Sequence, residues 1–440
     1  MNKSREDSNL SGVIHWGILL RLAKGAIQFL TVALIARMLD LGNLGAYFFI
    51  IALAQVLSIP AQFGLPQLLL RETVTYYDAG NFSAIKQLFR WASRSILWLS
   101  AAGILSGFLI VWMGFGVEVS SNELAFGLCL IPLMALLNLR GSQVRAMGGR
   151  IVSQITDQLL APLAFLLLLA VLLCQAEVDQ GSTTILLLRQ VGTALALVFG
   201  MIVARRILRR LARNEPPLTN ALPEASLRKS WKASAGIMGL SAGVWAINQN
   251  LDILLLADRA GEQQVALYRI SGLTAGGLAI LVQSLNAALG PVMARYQKTG
   301  RTLELQDLIN RQLKKLNLFV LPIPIVLVVG GKFLLQLIFG TALGEAYVPM
   351  LILLGAGWVN LFFGPAGVLL NMGGHEKLSL RATMIALLIN IVLNLLLIPL
   401  LGAIGAAIAT VVSALSWNLI LWSYAKRAAN INTIAWARFW

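Results

Sequence analysis

Apolar segments of about 20 residues recur from one end of this chain to the other, and this is the length that an α-helix needs to cross a bilayer. Of the 440 residues, 58% are hydrophobic and only 12% are charged, and the mean hydropathy is +0.77. These values exclude an ordinary soluble domain. A membrane β-barrel would show short segments of alternating polarity instead. The sequence therefore predicts an all-α integral membrane protein.

We predict twelve transmembrane helices. The last two are separated by almost nothing, so we expect a tight hairpin around Gly402 and Gly405. The predicted spans are residues 12–37, 45–70, 91–115, 124–147, 151–175, 183–204, 233–257, 265–294, 316–339, 347–371, 382–401 and 403–424.

Basic residues concentrate in alternate loops, and acidic residues lie in the loops between them. By the positive-inside rule the basic side faces the cytoplasm, which places both termini there. The largest basic group fills the loop that follows span six, at residues 205–232. The formal net charge of +16 is therefore explained by topology, and we expect no nucleic-acid partner.

This central loop divides the chain into two six-helix halves. We predict a first lobe at residues 1–214, a cytoplasmic linker at 215–230 and a second lobe at 231–440. A shift of about 221 residues aligns residues 44–47 with 265–268, and it aligns Gln62 with Gln283. Gly/Pro elements at residues 64–66 and 289–291 are expected to interrupt the second helix of each half.

The first span carries a polar stripe at helical positions i, i+3, i+7 and i+10: Arg21, Lys24, Gln28 and Thr31. A Lys or Arg at the bilayer centre costs about 2.5 to 3.5 kcal/mol, so such residues normally face a bundle interior or a water-filled cavity. We therefore expect span one to line a polar path. The alternative is that Arg21, only nine residues from the inner end of the span, reaches back to the lipid headgroups.

Span seven has a similar stripe at positions i, i+4, i+7 and i+11: Ser241, Trp245, Asn248 and Asp252. An intramembrane carboxylate either pairs with a buried base or binds a cation. Arg189 and Arg269 are candidate partners for Asp252 in the first case. In the second case Asp252 would couple transport to protons or sodium.

The inventory of reactive side chains is small. Cys129 and Cys174 both lie in apolar segments, and His15 and His375 stand apart from any acidic cluster. We predict no metal site and no cofactor. A nucleophile paired with a base is also missing from the sequence, so we do not expect an enzyme.

Several short motifs are similar to those of Wzx-type polysaccharide biosynthesis flippases, which belong to the multidrug/oligosaccharidyl-lipid/polysaccharide exporter superfamily. The resemblance extends over essentially the whole chain. Its motifs are residues 34–39 (LIARML), 44–47 (LGAY), 63–65 (FGL), 69–72 (LLRE), 251–256 (LDILLL), 266–268 (ALY), 289–291 (LGP), 393–399 (LNLLLIP) and 402–407 (GAIGAA).

This resemblance implies a MATE-like fold, with two lobes in a V shape around a central cavity. It also implies a flippase of the bacterial cytoplasmic membrane, whose substrate is an oligosaccharide joined by pyrophosphate to a polyprenyl carrier. Arg21 and Lys24 would bind the pyrophosphate, Asp252 would couple an ion, and Gln28, Thr31, Asn248, Gln62 and Gln283 would complete the substrate contacts. Membrane lipids are the other expected partners.

Two alternatives remain. A multidrug or cation antiporter on the same fold would require acidic residues in its cavity, whereas span one offers basic residues. A membrane-embedded glycan polymerase or transferase would require a reactive site in an extended outer loop, and the predicted outer loops are short.

Overall fold

The computed structural model describes residues 2–174, 181–213 and 224–434. Within these residues the chain forms helices and no β-strand. The helices are α1 (Asn2–Met38), α2 (Leu41–Gln62), α3 (Leu65–Asp78), α4 (Phe82–Trp112), α5 (Ser121–Ala146), α6 (Arg150–Gln154), a π-helical turn (Ile155–Leu160), α7 (Ala161–Leu173), α8 (Ser182–Arg213), α9 (Glu224–Ala260), α10 (Glu262–Ala275), α11 (Gly277–Lys298), α12 (Thr302–Val320), α13 (Pro322–Phe339), a 3-10 turn (Thr341–Ala346), α14 (Tyr347–Phe363), α15 (Ala366–Met372), α16 (Glu376–Leu401) and α17 (Ala403–Ala429).

Ten helical segments of the described residues are long and apolar enough to cross a membrane. They coincide with predicted spans one to six and nine to twelve. Predicted spans seven and eight fall on α9 and on α10 with α11, which are not among the ten. The predicted all-α membrane fold is confirmed, and the protein is a multi-pass membrane protein.

The chain divides into two compact units, Met1–Leu254 and Leu255–Trp440. The boundary lies inside α9, so most of this helix packs with the first unit. Of the predicted linker, residues 215–223 lie outside the described residues and residues 224–230 begin α9. The division into two six-helix membrane lobes stays a prediction.

Predicted span two is broken between α2 and α3. Phe63 and Gly64, at φ 43° and 67°, both adopt the left-handed conformation, and Pro66 occupies the first turn of α3. The helix stops here because neither left-handed residue can continue it. In the second half, the corresponding element at residues 289–291 lies within the continuous helix α11, so the expected interruption is absent there. The break falls instead at Gly276, between α10 and α11.

The predicted hairpin between the last two helices is present. Only Gly402 separates α16 from α17, and its φ of 54° suits glycine. A Cβ on Gly405 would collide with the carbonyl oxygen of Leu397. The side chain of Gln264 accepts a hydrogen bond from the amide of Ala403 at 2.9 Å. Glycine thus permits the close approach, and a glutamine from α10 satisfies the first amide of α17.

The two halves repeat the same tertiary contact. In the first half the hydroxyl of Tyr47, on α2, accepts a hydrogen bond from Arg189, on α8, at 2.7 Å. In the second half the hydroxyls of Tyr268, on α10, and Thr410, on α17, are 2.9 Å apart. A single shift of 221 residues relates both members of these pairs. Coincidental alignment of apolar residues would not reproduce a long-range contact.

Backbone hydrogen bonds repeat as well. Before α4, the amides of Ala79, Gly80 and Asn81 bond to the carbonyls of Thr75, Tyr77 and Tyr76. Before α12, the same pattern recurs 220 residues later, in the bonds from Thr299 to Arg295, from Gly300 to Gln297 and from Arg301 to Tyr296. Gly80 and Gly300 share a positive φ of 66° and 67°. The two halves are therefore internal structural repeats.

The repeats differ in their helix caps. Asp40 caps α2 by accepting hydrogen bonds from the amides of Gly42 at 3.2 Å and Asn43 at 3.3 Å. Burial alone would raise the pKa of Asp40, but hydrogen bonds from the Asn43 side chain and from these amides hold the pKa below its usual value. Gly261 takes this place before α10, without a side-chain cap.

Gly64 also brings α9 close to the break in span two. A Cβ at this position would overlap the carbonyl oxygen of Ala235 and the amide nitrogen of Gly239. We predict that Gly64→Ala lowers the melting temperature of the purified protein much more than Gly114→Ala. Gly114 also has a positive φ, of 82°, but it has nothing within 4 Å of its added Cβ.

The Gly114 variant measures the backbone strain alone, about 1 to 2 kcal/mol. The Gly64 variant adds overpacking of roughly 1 to 3 kcal/mol. Equal losses for the two variants, followed by thermal unfolding in detergent, would contradict the close approach of α9.

Candidate functional site

One face of α1 packs against the helices of predicted span five. Leu20, Thr31 and Ile35 on this face are buried, with 6%, 6% and 0% of their surface exposed. The contacts are with α6, the π-helical turn and α7, and α1 also touches α2. The packed face fixes the rotation of α1, and so it fixes the direction of the polar stripe.

The structure divides the stripe. Thr31 is buried, and its hydroxyl donates to the carbonyl oxygen of Ile27 at 2.7 Å. Lys24 is half-buried and interacts with another residue of the protein. Arg21 and Gln28 are exposed. Lys24, Arg21 and Gln28 therefore line one edge of the packed face, while Thr31 belongs to the packing.

The exposed polar edge and the exposed apolar face of α1 are different surfaces. Leu19 and Leu30 are 55% and 54% exposed. At about 100° per residue they lie roughly opposite Arg21 on the helix. An exposed apolar face suits lipid, and a polar edge on the other side suits water or a polar ligand. This arrangement favours the polar-path interpretation of Arg21 over the snorkelling one.

Span five is irregular where α1 packs against it. Residues Ile155–Leu160 form a π-helical turn, a rare conformation that is frequent at functional sites. Thr156 in this turn is fully buried, and its hydroxyl donates to the carbonyl oxygen of Val152 at 2.8 Å. Asp157 also belongs to the turn, but its side chain lies outside the described part of the chain. No local sequence signal predicts this turn.

The stripe of span seven lies on α9, within the first unit. Asn248 is exposed, and Asp252, one turn further on, is half-buried and interacts with another residue of the protein. The side chains of Ser241 and Trp245 lie outside the described residues. The structure thus gives Asn248 an open position and Asp252 a partly enclosed one.

Arg189 has other partners than the one considered from sequence. Its guanidinium donates to the Tyr47 hydroxyl at 2.7 Å and lies 5.7 Å from the centre of the Phe165 ring. These contacts hold α8 against α2 and α7, and Arg189 is not the partner of Asp252. Arg269 belongs to the second unit.

The two repeat-related glutamines have different surroundings. Gln62 is half-buried, accepts a hydrogen bond from Asn138 at 3.3 Å and approaches the hydroxyl of Ser58 at 3.5 Å. Gln283 is exposed on α11, in the second unit. Gln62 is therefore oriented by neighbours from α2 and α5.

A cavity of about 670 Å³ in the first unit was not anticipated from the sequence. We call it the basic cavity. It lies between the beginning of α4 and the final turns of α5 and α8, and its lining is Lys86, Phe89, Arg90, Ser93, Arg94, Arg140, Gln143, Met201, Ala204, Arg205 and Leu208. The sequence analysis had assigned these cations to topology alone, although the i, i+4, i+8 spacing of Lys86, Arg90 and Arg94 could have indicated a basic helix face.

Within the described residues, no group of three or more His, Cys, Asp or Glu side chains could hold a metal ion. Cys129 and Cys174 are both exposed free thiols. The candidate site therefore consists of cations and amides, which bind anions and hydroxyl groups.

Comparison with protein families gives a match over residues 13–297, well over half of the chain, to the family described as polysaccharide biosynthesis protein. The chain belongs to this family. A probable low-salt glycan biosynthesis flippase of Haloferax volcanii is 22% identical over 402 residues, which are 88% of this chain and 77% of that protein.

Solved structures agree with this polysaccharide biosynthesis family assignment at the level of the fold. The lipid II flippase MurJ, in an inward closed conformation, matches with a TM-score of 0.67 and 11% identity over 93% of this chain and 87% of MurJ. A mutant of the Vibrio cholerae MATE transporter VcmN matches with a TM-score of 0.63 and 16% identity over 97% of this chain and 98% of that chain. The resemblance to Wzx-type flippases and the predicted MATE-like fold are confirmed.

The orientation of α1 in this polysaccharide biosynthesis protein can be tested by cysteine accessibility in membranes. In a background without Cys129 and Cys174, we predict that Arg21→Cys and Gln28→Cys react with a charged, membrane-impermeant thiol reagent. Leu19→Cys and Leu30→Cys should not react, because they face lipid. Each pair differs by two residues, or about 3 Å in depth, so depth is matched. Equal labelling of all four variants would contradict the two-surface arrangement.

Proposed function

We propose that this flippase moves an oligosaccharide, linked by pyrophosphate to a polyprenyl carrier, across the bacterial cytoplasmic membrane for assembly of a surface polysaccharide. The observation that carries this proposal is the position of Arg21 and Lys24 on the polar edge of α1, away from its exposed leucines. A pyrophosphate is the anionic part of such a substrate. Cations in a region of low dielectric bind phosphate through strong ionic hydrogen bonds.

The uncharged polar residues would serve the sugars. Gln28 and Asn248 are exposed amides, which can donate to and accept from hydroxyl groups. Gln62 is pre-oriented by Asn138, and Gln283 is an exposed amide of the second unit. Thr31 would act indirectly, by packing α1 in the orientation that presents the cations.

The charge of the stripe disfavours export of cationic drugs. A multidrug antiporter on this fold would have to bring a cation to a helix edge that already carries Arg21 and Lys24. Like charges repel each other strongly where water is scarce. A glycan polymerase or transferase would need a reactive centre, and the candidate site is composed of cations and amides. Translocation without covalent chemistry therefore fits these side chains best.

The proposed orientation has both termini in the cytoplasm. It rests on the basic residues that follow the even-numbered spans, because such residues are retained on the cytoplasmic side of a membrane. In the structure, the beginning of α4 and the final turns of α5 and α8 bring Arg90, Arg140 and Arg205 to one end of the first unit, as this orientation requires.

Asp252 is the proposed site for coupling to protons or sodium. It is a half-buried carboxylate one turn from Asn248, and burial makes the protonation of a carboxylate sensitive to its surroundings. The alternative is that its interaction within the protein is purely structural.

We predict that the double variant Arg21→Ala with Lys24→Ala loses flipping. The assay follows a fluorescent polyprenyl-pyrophosphate oligosaccharide in liposomes that contain the purified protein. Each ionic hydrogen bond contributes about 1.5 to 3 kcal/mol, so the rate should fall by roughly 100-fold or more. The matched control, Arg21→Lys with Lys24→Arg, keeps both charges and should retain most of the activity. Normal flipping by a well-folded double Ala variant would refute the proposed role.

For Asp252 we predict that Asp252→Asn abolishes the acceleration of flipping by an imposed proton or sodium gradient. Flipping without a gradient should continue, and Asp252→Glu should preserve the gradient response because it keeps an ionisable group. If the Asn variant responds to a gradient as the unchanged protein does, Asp252 has a structural role instead.

A further inference from the structure

The basic cavity is lined by five cations: Lys86, Arg90, Arg94, Arg140 and Arg205. Within the described residues no carboxylate lines it. Arg140 and Arg205 are close enough to repel each other electrostatically. Concentrating positive charge without a protein anion is unfavourable, so the cavity is best suited to a state in which an anion is bound.

Two buried donors in this cavity also lack an acceptor. Arg140 donates to Gln143 at 2.8 Å and to Ser93 at 3.1 Å, but its Nε is buried without a partner. Gln143 is fully buried, and its Nε2 is likewise without a partner. A buried donor without an acceptor destabilises a protein by about 1 to 3 kcal/mol. An anion with several oxygen atoms would satisfy both donors.

The remaining walls are apolar. Phe89, Met201, Ala204 and Leu208 complete the lining. Trp98, one turn beyond Arg94 on α4, is 79% exposed, and Val198 and Ile202 on α8 are 49% and 44% exposed. On a membrane-spanning helix, exposed apolar side chains face acyl chains. The cavity thus joins a charged pocket to a lipid-facing surface, which is the polarity of a phosphate-bearing lipid.

We propose that the basic cavity binds the phosphate headgroup of an anionic lipid from the leaflet on its side of the membrane. The site is formed by α4, α5 and α8 and contains no residue of α1, so it is separate from the proposed substrate stripe and does not depend on that assignment. Two lipids share this chemistry, namely an anionic phospholipid of the bilayer and a polyprenyl phosphate.

Native mass spectrometry of the purified full-length protein in detergent tests the proposal. The probes are dioleoylphosphatidylglycerol, undecaprenyl phosphate, the zwitterionic dioleoylphosphatidylcholine and inorganic phosphate. We expect both anionic lipids to bind, and the tighter of the two identifies the natural occupant. The double variant Arg90→Ala with Arg94→Ala should bind this lipid roughly tenfold more weakly. Arg206→Ala with Arg209→Ala removes two exposed charges from the same end of α8 but outside the cavity, and it should bind like the unchanged protein.

A third variant supplies the missing anion from within. Gln143→Glu keeps the acceptor for Arg140 and replaces the unpartnered amide group with a carboxylate oxygen. We expect a higher melting temperature for the lipid-free protein and weaker lipid binding. Equal lipid affinity in the Arg90/Arg94 and Arg206/Arg209 variants would overturn the proposal. Binding of inorganic phosphate as tight as that of either lipid would also overturn it, because the apolar walls would then contribute nothing.

Discussion

A cation carried into a bilayer on a helix needs water or an anion beside it, and this requirement organises the first unit of the protein. On α1, packing of Leu20, Thr31 and Ile35 turns Arg21 and Lys24 to one edge and leaves the opposite side apolar. The alternative, a cation facing lipid, costs about 2.5 to 3.5 kcal/mol near the bilayer centre. The rotation of α1 is therefore the physical feature on which the proposed transport path depends.

The basic cavity meets the same requirement in another way. It gathers cations from three helices and leaves two buried donors for an external acceptor. The stripe on α1 and the basic cavity are both specific for anions, but only the cavity has preformed apolar walls beside its charges. A lipid phosphate held there would stabilise the ends of α4, α5 and α8, whereas a pyrophosphate on α1 must be released after each transport cycle.

The two repeats preserve architecture and vary the chemistry. The contact between Tyr47 and Arg189 recurs as the contact between Tyr268 and Thr410, so an ionisable donor in the first repeat is replaced by a neutral hydroxyl in the second. Backbone features that fix the course of the chain, such as the left-handed Gly80 and Gly300, are the same in both. Constraints on the backbone are thus shared, while the polar groups differ between the repeats.

The sequence was sufficient for features that depend on neighbours along the chain. Helix spans follow from apolar length, and the hairpin at Gly402 follows from the lack of any other linker residue. The basic cavity could not be derived in the same way, because Arg140 and Arg205 reach the Lys86–Arg94 face only through packing. The interruption expected at residues 289–291 was wrong because a proline within a membrane helix can be tolerated when neighbours satisfy the freed backbone groups. The glycine pair at 276–277 gives the more flexible backbone, and the break occurs there.

The most direct measurement is an experimental structure of the protein with a polyprenyl-pyrophosphate oligosaccharide bound. Our account predicts that phosphate oxygens lie within about 2.7 to 2.9 Å of the Arg21 guanidinium or the Lys24 ammonium group, with the sugars close to Gln28 and Asn248. A pyrophosphate bound away from α1, with Arg21 directed into lipid headgroups, would contradict it.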